Sequence, residues 1–473
     1  MQPSASAKRT LFSPVVPAEK LHANFEKLRS YPGFEPARWM FDDVYQTFDD
    51  ADGNFLEQFQ TTGFDARCFE LYVFAYLSRS GFAVDRTHPN PDFIATKENM
   101  TIAIEVTTVG PSTSGVLAEL GKKISELSPS ELREYIRNEL PIRFGSPLFS
   151  KLQHRYWELE HCRDLPFVIF IEAFHDEESL VLSSSALTSY LYGLDHVASW
   201  GAGKALMIDW GEVEEHKVGE KIIPSKFFAH PGSEHISAVV FTNSGTVPKF
   251  ERMGYQSGIG HDTIDISRVG SCLSPGPNTM DPSWFSYSLD DPPLVESWGE
   301  GLAVLHNPHC LRPIPNDLFP EGVQSSMQDG RLVTEAARWH PFASKTLIRD
   351  VGELKRELAK LPQRTPRVAI AAIPQSEFMA HAGFAMSDDH PAIEENAWFV
   401  DETEAFLGVL TRDKQDDDWG YVVLARDQHF RFRAIHWEID LSSRDEARAR
   451  LNGEMVRLLS RPQRLFPQAP VAG

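Results

Sequence analysis

The sequence contains no run of about 18 apolar residues, so no membrane span is expected. Cysteine is scarce: four in 473 residues, at positions 68, 162, 272 and 310, with no paired spacing. That argues against a disulfide framework and makes a reducing cytoplasm the expected compartment. The opening Met1-Gln2-Pro3-Ser4-Ala5-Ser6-Ala7-Lys8-Arg9 lacks the apolar core of a secretory signal and reads as a short disordered lead-in. Basic residues are also short, 46 Lys and Arg against 67 Asp and Glu, for a net charge of −21. A chain this acidic does not coat nucleic acid by long-range attraction. A nuclease stays open, because an active site needs only a local basic rim and a bound metal brings charge of its own. There is no internal repeat and no glycine-rich phosphate loop in a strand–helix setting. Ser183-Ser184-Ser185 has no nucleophile-elbow context and reads as a helix start.

What is present is enough apolar material, 42%, for sizeable cores, in a length that suits two or three domains. Residues 18–60 read as short amphipathic helices, broken at Pro32-Gly33 and Gly53. A helix over 66–80 ends at Gly81 and leads to strands at Phe82–Arg86, Phe93–Thr96 and Thr101–Val106, the last two joined by a Lys97-Glu98-Asn99 turn. Helices follow from Ser128-Pro129 and over Ser146 to Leu159, then an apolar strand at Pro166–Glu172, whose continuous run marks burial on both faces. A helix at 184–193, strands at Ala205–Asp209 and Ile236–Thr242, a helix at 246–253 and a strand at Leu302–Leu305 extend the same layer. The Ser-, Pro- and Asp-rich stretch 270–294 reads as a long surface loop. A further domain is expected near 346, with a helix at 351–361, a strand at Val368–Ile373, a meander at Ala405–Leu410, Gly420–Ala425 and Phe430–Trp437, and a helix opened by the capping-box match Ser443-Arg444-Asp445-Glu446. The expected class is α/β: a mixed central sheet flanked by helices, plus a smaller α+β C-terminal domain. The expected divisions are an N-terminal helical segment 1–60, a main domain 61–345 and a C-terminal domain 346–473 of unassigned role.

Three acids carry the chemistry. Glu70 lies in the apolar helix, Asp92 follows Pro91 at a strand start, and Glu105 ends the second strand of the hairpin, in Ile102-Ala103-Ile104-Glu105-Val106-Thr107. Two carboxylates brought together at strand ends suit a hard divalent cation, which prefers oxygen ligands. A buried Glu70 needs a partner, and Arg67, one turn earlier, is the structural candidate. The helix with Glu70, the Pro91-Asp92 strand start and Glu105-Val106-Thr107 resemble the PD-(D/E)XK, or restriction-endonuclease-like, nuclease superfamily, over about a quarter of the chain by motif order. The resemblance implies a helix, three strands, helix, strand core over 66–172. It implies that Asp92, Glu105 and the Val106 carbonyl ligate Mg²⁺ or Mn²⁺, and that Glu70 holds a water or second ion. The family pattern puts lysine where this chain has Thr107. Lys151, on the helix expected beside the site, is the replacement candidate, with Arg155 at i,i+4 on the same face, and Gln153, Arg155, Tyr156 and Thr107 are the expected substrate contacts.

The expected function is a metal-dependent nuclease hydrolysing phosphodiester bonds of DNA, or less readily RNA, with a role in restriction or defence by analogy of fold. The C-terminal domain would then bind a partner or support a homo-oligomer. The alternatives are a binding or regulatory protein that keeps the nuclease-like fold without catalysis, favoured by Thr107 and the −21 charge, and a structural interaction protein. His306-Asn307-Pro308-His309-Cys310, Asp388-Asp389-His390 and Asp416-Asp417-Asp418 read as loops rather than metal sites.

Overall fold

The first helices form where apolar residues return to one face every three or four positions. In the computed structural model they are α1 (Ala23–Ser30), α2 (Glu35–Thr47) and α3 (Phe55–Gln60), and they bury Phe25, Leu28, Phe41, Val44, Phe55 and Phe59. Pro36 stands in the first turn of α2, where a missing N–H breaks no helical bond. The next helix, α4 (Phe64–Arg79), is buried without a break from Cys68 to Leu77, so it runs through the core rather than along its surface. Each fully buried Phe or Leu contributes about 1.5–3 kcal/mol. The structure describes residues 10–50, 53–110, 122–174, 184–200, 206–260, 263–273, 283–290, 292, 294–335, 340–350, 392–400, 406–412, 418–426 and 432–460.

After α4 the chain makes β1 (Ala83–Asp85), β2 (Phe93–Lys97) and β3 (Met100–Val109), paired antiparallel in sequence order. The β2–β3 turn puts Glu98 at φ 53°. Next come α5 (Pro129–Glu134), α6 (Leu140–His154) and β4 (Phe167–Ala173). Ser128 and Glu131 cap α5 reciprocally, as their spacing requires. Then follow α7 (Ser185–Tyr192), the hairpin β5 (Leu194–Trp200) with β6 (Leu206–Glu212), and the hairpin β7 (Glu215–Val218) with β8 (Lys221–Pro224). The unit continues with β9 (Ile236–Phe241), α8 (Val247–Gln256), β10 (Ile264–Leu273), β11 (Ser283–Ser288), β12 (Ala303–His306), β13 (Val323–Gln328), β14 (Arg331–Glu335) and β15 (His340–Asp350).

The central sheet has eight strands in the order β1-β2-β3-β4-β9-β12-β13-β14. Strand β4 lies parallel to both β3 and β9, and all seven of its residues are buried. Alternation divides its side chains between two apolar layers. Val168 and Phe170 join the layer of α2 and α4, while Phe167, Ile169 and Ile171 join that of α6 and α7. This mixed sheet between helices is the expected α/β class.

The structure alters some expected elements. Helix α6 starts at Leu140 and stops at His154, with Pro147 inside it, rather than spanning Ser146 to Leu159. Part of the expected loop 270–294 is strand: β10 reaches Leu273 and β11 covers Ser283–Ser288, in a second sheet ordered β11-β10-β15. Strand β10 pairs with the nearby β11, Ser267 opposite Ser288, and with the remote β15, Ile264 opposite Asp350, a partner that local composition cannot reveal.

The chain divides between Lys355 and Arg356. The second unit contains β16 (Ala392–Val400), β17 (Phe406–Arg412), β18 (Trp419–Arg426) and β19 (Phe432–Leu441), an antiparallel meander, and α9 (Arg444–Ser460). Ala447, Leu451 and Met455 of α9 pack with Leu410, Tyr421, Val423 and Leu441. The expected helix 351–361, the strand Val368–Ile373, Asp388-Asp389-His390, Asp416-Asp417 and the tail after Pro462 lie outside the described residues.

Candidate functional site

Register brings the two strand carboxylates together. Phe93 of β2 pairs with Ile104 of β3, so Asp92, one residue before β2, comes alongside Glu105. The Asp92 N–H donates to Glu105 Oε2 at 3.3 Å, and Asp92 Oδ2 accepts the Val106 N–H at 2.7 Å. Val106, expected as a carbonyl ligand, fixes Asp92 through its amide. Glu105 is buried, and its other oxygen, Oε1, accepts from Lys151 Nζ at 2.6 Å and from the Tyr156 hydroxyl at 2.8 Å. Thr107 shares a strand face with Glu105 by the two-residue period and is half-buried.

Lys151 reaches the site because it stands on the last turn of α6, which packs over β3. Immediately afterwards the chain turns: Arg155 is left-handed, at φ 50°, and a single 3₁₀ turn follows over Tyr156–Glu158. That turn swings Tyr156 inward onto Glu105. It also corrects two expectations. Arg155 does not continue the Lys151 face but lies exposed, paired with Glu158, and Tyr156 is buried against Glu105 rather than presented to substrate. Gln153 is exposed at the end of α6.

Glu70 enters from α4, buried, with both oxygens taken by arginine. Arg67 bonds Oε2, the pairing its spacing suggested, and Arg86 Nη2 donates to Oε1 at 2.6 Å. Arg86 also donates from Nη1 to the Asp49 carbonyl at 2.7 Å and from Nε to the Asp92 carbonyl at 3.4 Å, with its guanidinium 3.7 Å from the Phe48 ring centroid. Arg67 is held in turn by Gln58, with Nε 2.7 Å from Oε1. Sequence reasoning missed Arg86. Its signal was its place at the end of β1, on the short connection that leads to Asp92. Also unforeseen is the stack of His88 on His161, ring centroids 3.8 Å apart, with a His161 ring nitrogen 2.7 Å from the Asn90 carbonyl.

Burial dominates the electrostatics of two of the acids. Burial holds the Asp92 carboxyl well above the usual carboxylate range, the negative charges of Glu105 and Glu70 push it further, and the Val106 amide and Lys151 oppose. Burial also raises Glu70, against the pull of Arg67 and Arg86 and with a push from Glu105. Burial and Glu105 together raise the Tyr156 phenol, and they lift the Cys162 thiol to about 11.

The donor chemistry of Asp92 and Glu105 fits a hard dication: both are carboxylates, and their mutual repulsion is what a cation would relieve. Glu70 does not complete such a set, since arginines occupy both its oxygens. Among the described residues no group of three or more His, Cys, Asp or Glu side chains is arranged to hold a metal ion. At the His306–Cys310 segment, His306 Nε2 lies 2.8 Å from Gln324 Oε1 and the Asn307 amide donates to two carbonyls, as in an ordinary structured loop. Compared with family models, with curated proteins and with solved structures, the chain matches none, so its likeness to the PD-(D/E)XK nucleases rests on these residues and their order alone.

Proposed function

We propose that this protein is a metal-dependent nuclease that hydrolyses phosphodiester bonds of DNA. The observation that carries the reading is the meeting of Asp92, Glu105 and Lys151, from three separate elements, with Lys151 Nζ 2.6 Å from Glu105 Oε1. Thr107 leaves the sequence without the lysine of the resembled motif, and a lysine from α6 brings the same charge to the same carboxylate. Asp92 and Glu105 would hold Mg²⁺ or Mn²⁺, which supplies Lewis acidity at the phosphoryl group. With a cation held there, Asp92 would be ionised, and Lys151, beside Glu105, would stand where its charge can meet the phosphate oxygens as negative charge develops. Tyr156 keeps Glu105 oriented, and Arg86 ties the Glu70 side chain to the Asp92 backbone, so the acids stay in register.

A second reading has its own observation. With both Glu70 oxygens held by arginine and a net charge of −21, the same fold would suit a binding or regulatory protein without catalysis. Incubating the protein with supercoiled plasmid DNA and Mg²⁺ or Mn²⁺ separates the two. The nuclease reading expects nicking or linearisation that disappears in Asp92→Ala and Glu105→Ala. Saturable Mn²⁺ binding without cleavage of DNA or RNA favours the second reading, and the absence of both overturns the metal site.

A further inference from the structure

A cleft of 650 Å³ lies in the first unit, away from the carboxylates, among α2, the end of α4, α8 and the segments around residues 296–298 and 320–321. That volume is in the range of small-molecule sites. Its apolar surface is aromatic and thioether: Trp39, 43% exposed at the mouth, with Met40, Met253 and the nearly buried Trp298. Its walls are fixed in advance. Tyr72 and Tyr76, one turn apart on α4, donate to the Trp298 carbonyl at 2.8 Å and the Pro320 carbonyl at 3.1 Å. Gln256 of α8 bonds the Glu296 backbone at both its N–H and its carbonyl, each at 2.9 Å. A cleft whose walls are pinned this way loses little entropy when it is filled.

Charge selects the occupant. Three carboxylates, Asp43, Glu296 and Glu321, line the cleft against one cation, Arg79. Glu296 is consumed by Lys249 and Arg252 behind the wall, at 2.6 and 2.7 Å. Arg79 is engaged by Asp43 at 3.0 Å. Glu321 is exposed at the rim and forms no ion pair among the described residues. An open carboxylate and an exposed indole lining the same cleft are the pair of groups that recognises an organic cation, and the charge of the whole chain disfavours an anion. We propose that this cleft is a binding site for a small organic ammonium ion with an apolar body, its cationic head between Glu321 and Trp39 and its body toward Met40, Met253 and Trp298.

The test is calorimetric titration of the full-length protein with benzyltrimethylammonium, whose charge is permanent and which cannot ligate a metal, alongside phenylacetate and benzyl alcohol. The expected result is saturable binding of the ammonium probe alone, weakened about fivefold or more in Trp39→Ala and in Glu321→Gln. Both side chains are exposed, so both variants should melt as the wild type does. No saturation, equal binding of phenylacetate or benzyl alcohol, or unchanged affinity in either variant overturns the assignment. None of these outcomes depends on the nuclease reading.

Discussion

Two buried clusters of charge in the first unit are built from the same residue types and behave in opposite ways. At the sheet, Glu70, Asp92 and Glu105 meet Arg67, Arg86 and Lys151. Behind α8, Glu296 and Glu300 meet Lys249, Arg252 and Arg268. In the second cluster burial acts to raise Glu296, but Arg252, Lys249 and Arg268 overcome it, and its carboxyl falls well below the usual range. At the sheet the same cost of burial prevails, and Asp92 stays well above it. A cluster that only holds a fold together saturates its acids. One that leaves an acid short of positive charge has the electrostatics that the proposed metal site requires.

The difference can be broken at either end. The largest effect is expected from Glu296→Ala, which leaves Lys249, Arg252 and Arg268 buried with their main counter-charge gone. Denaturant unfolding should show a loss of about 3–5 kcal/mol. The Lys151→Met variant should lose less, because Lys151 is partly exposed and Glu105 keeps the Tyr156 hydroxyl, and on the nuclease reading it should lose about a hundredfold in the rate of metal-dependent DNA cleavage. Equal stability losses in the two variants would erase the contrast.

A subtler effect is expected in pH dependence. Asp92 has a folded-state pKa above the unfolded value of about 3.9, so the folded chain binds its proton more tightly. Its contribution to stability is full below the unfolded pKa and is lost as pH rises through the folded one. Asp92→Asn keeps an acceptor for the Val106 amide and removes that loss. Melting curves should therefore show it more stable than the wild type above pH 7 and level with it near pH 4. Glu296, depressed, has the opposite sign: its contribution is present above the unfolded pKa and is lost as pH falls through the folded one. Smallest of the four is Tyr156→Phe, which removes one hydrogen bond to a carboxylate and should cost about 1.5–3 kcal/mol, read by the same denaturant titration.

Much of this was legible in the chain because it is local. The α4 helix, the β2–β3 hairpin, the apolar β4 and the acids at the strand ends all follow from periodicity and turn chemistry within a few residues. The start of α6 was not, because Ser146-Pro147 looks like a helix opening, whereas Pro147 sits inside a helix that begins at Leu140. The β10–β15 pairing joins segments far apart in the chain, and no window on 270–294 contains its partner. At the site, the spacing of α6 marked Lys151 as a candidate, and the structure places it on Glu105. The inward turn of Tyr156 depends on a left-handed residue at Arg155, a non-glycine position that composition does not flag. Arg86 escaped because its contacts, to Asp49, Glu70 and Asp92, come from three segments of the chain.

The scaffolding around Arg86 and Arg67 also bears on how this protein can be cut down for study. Phe48 and Asp49, which seat Arg86, and Gln58, which holds Arg67, all precede residue 61. A fragment trimmed to the nuclease-like motif alone would strip the two guanidinium groups of their seats and leave Glu70 buried beside loosened partners. The amino-terminal helices are part of the foundation of the acidic centre, and silence from such a fragment would say nothing about what the intact chain can do.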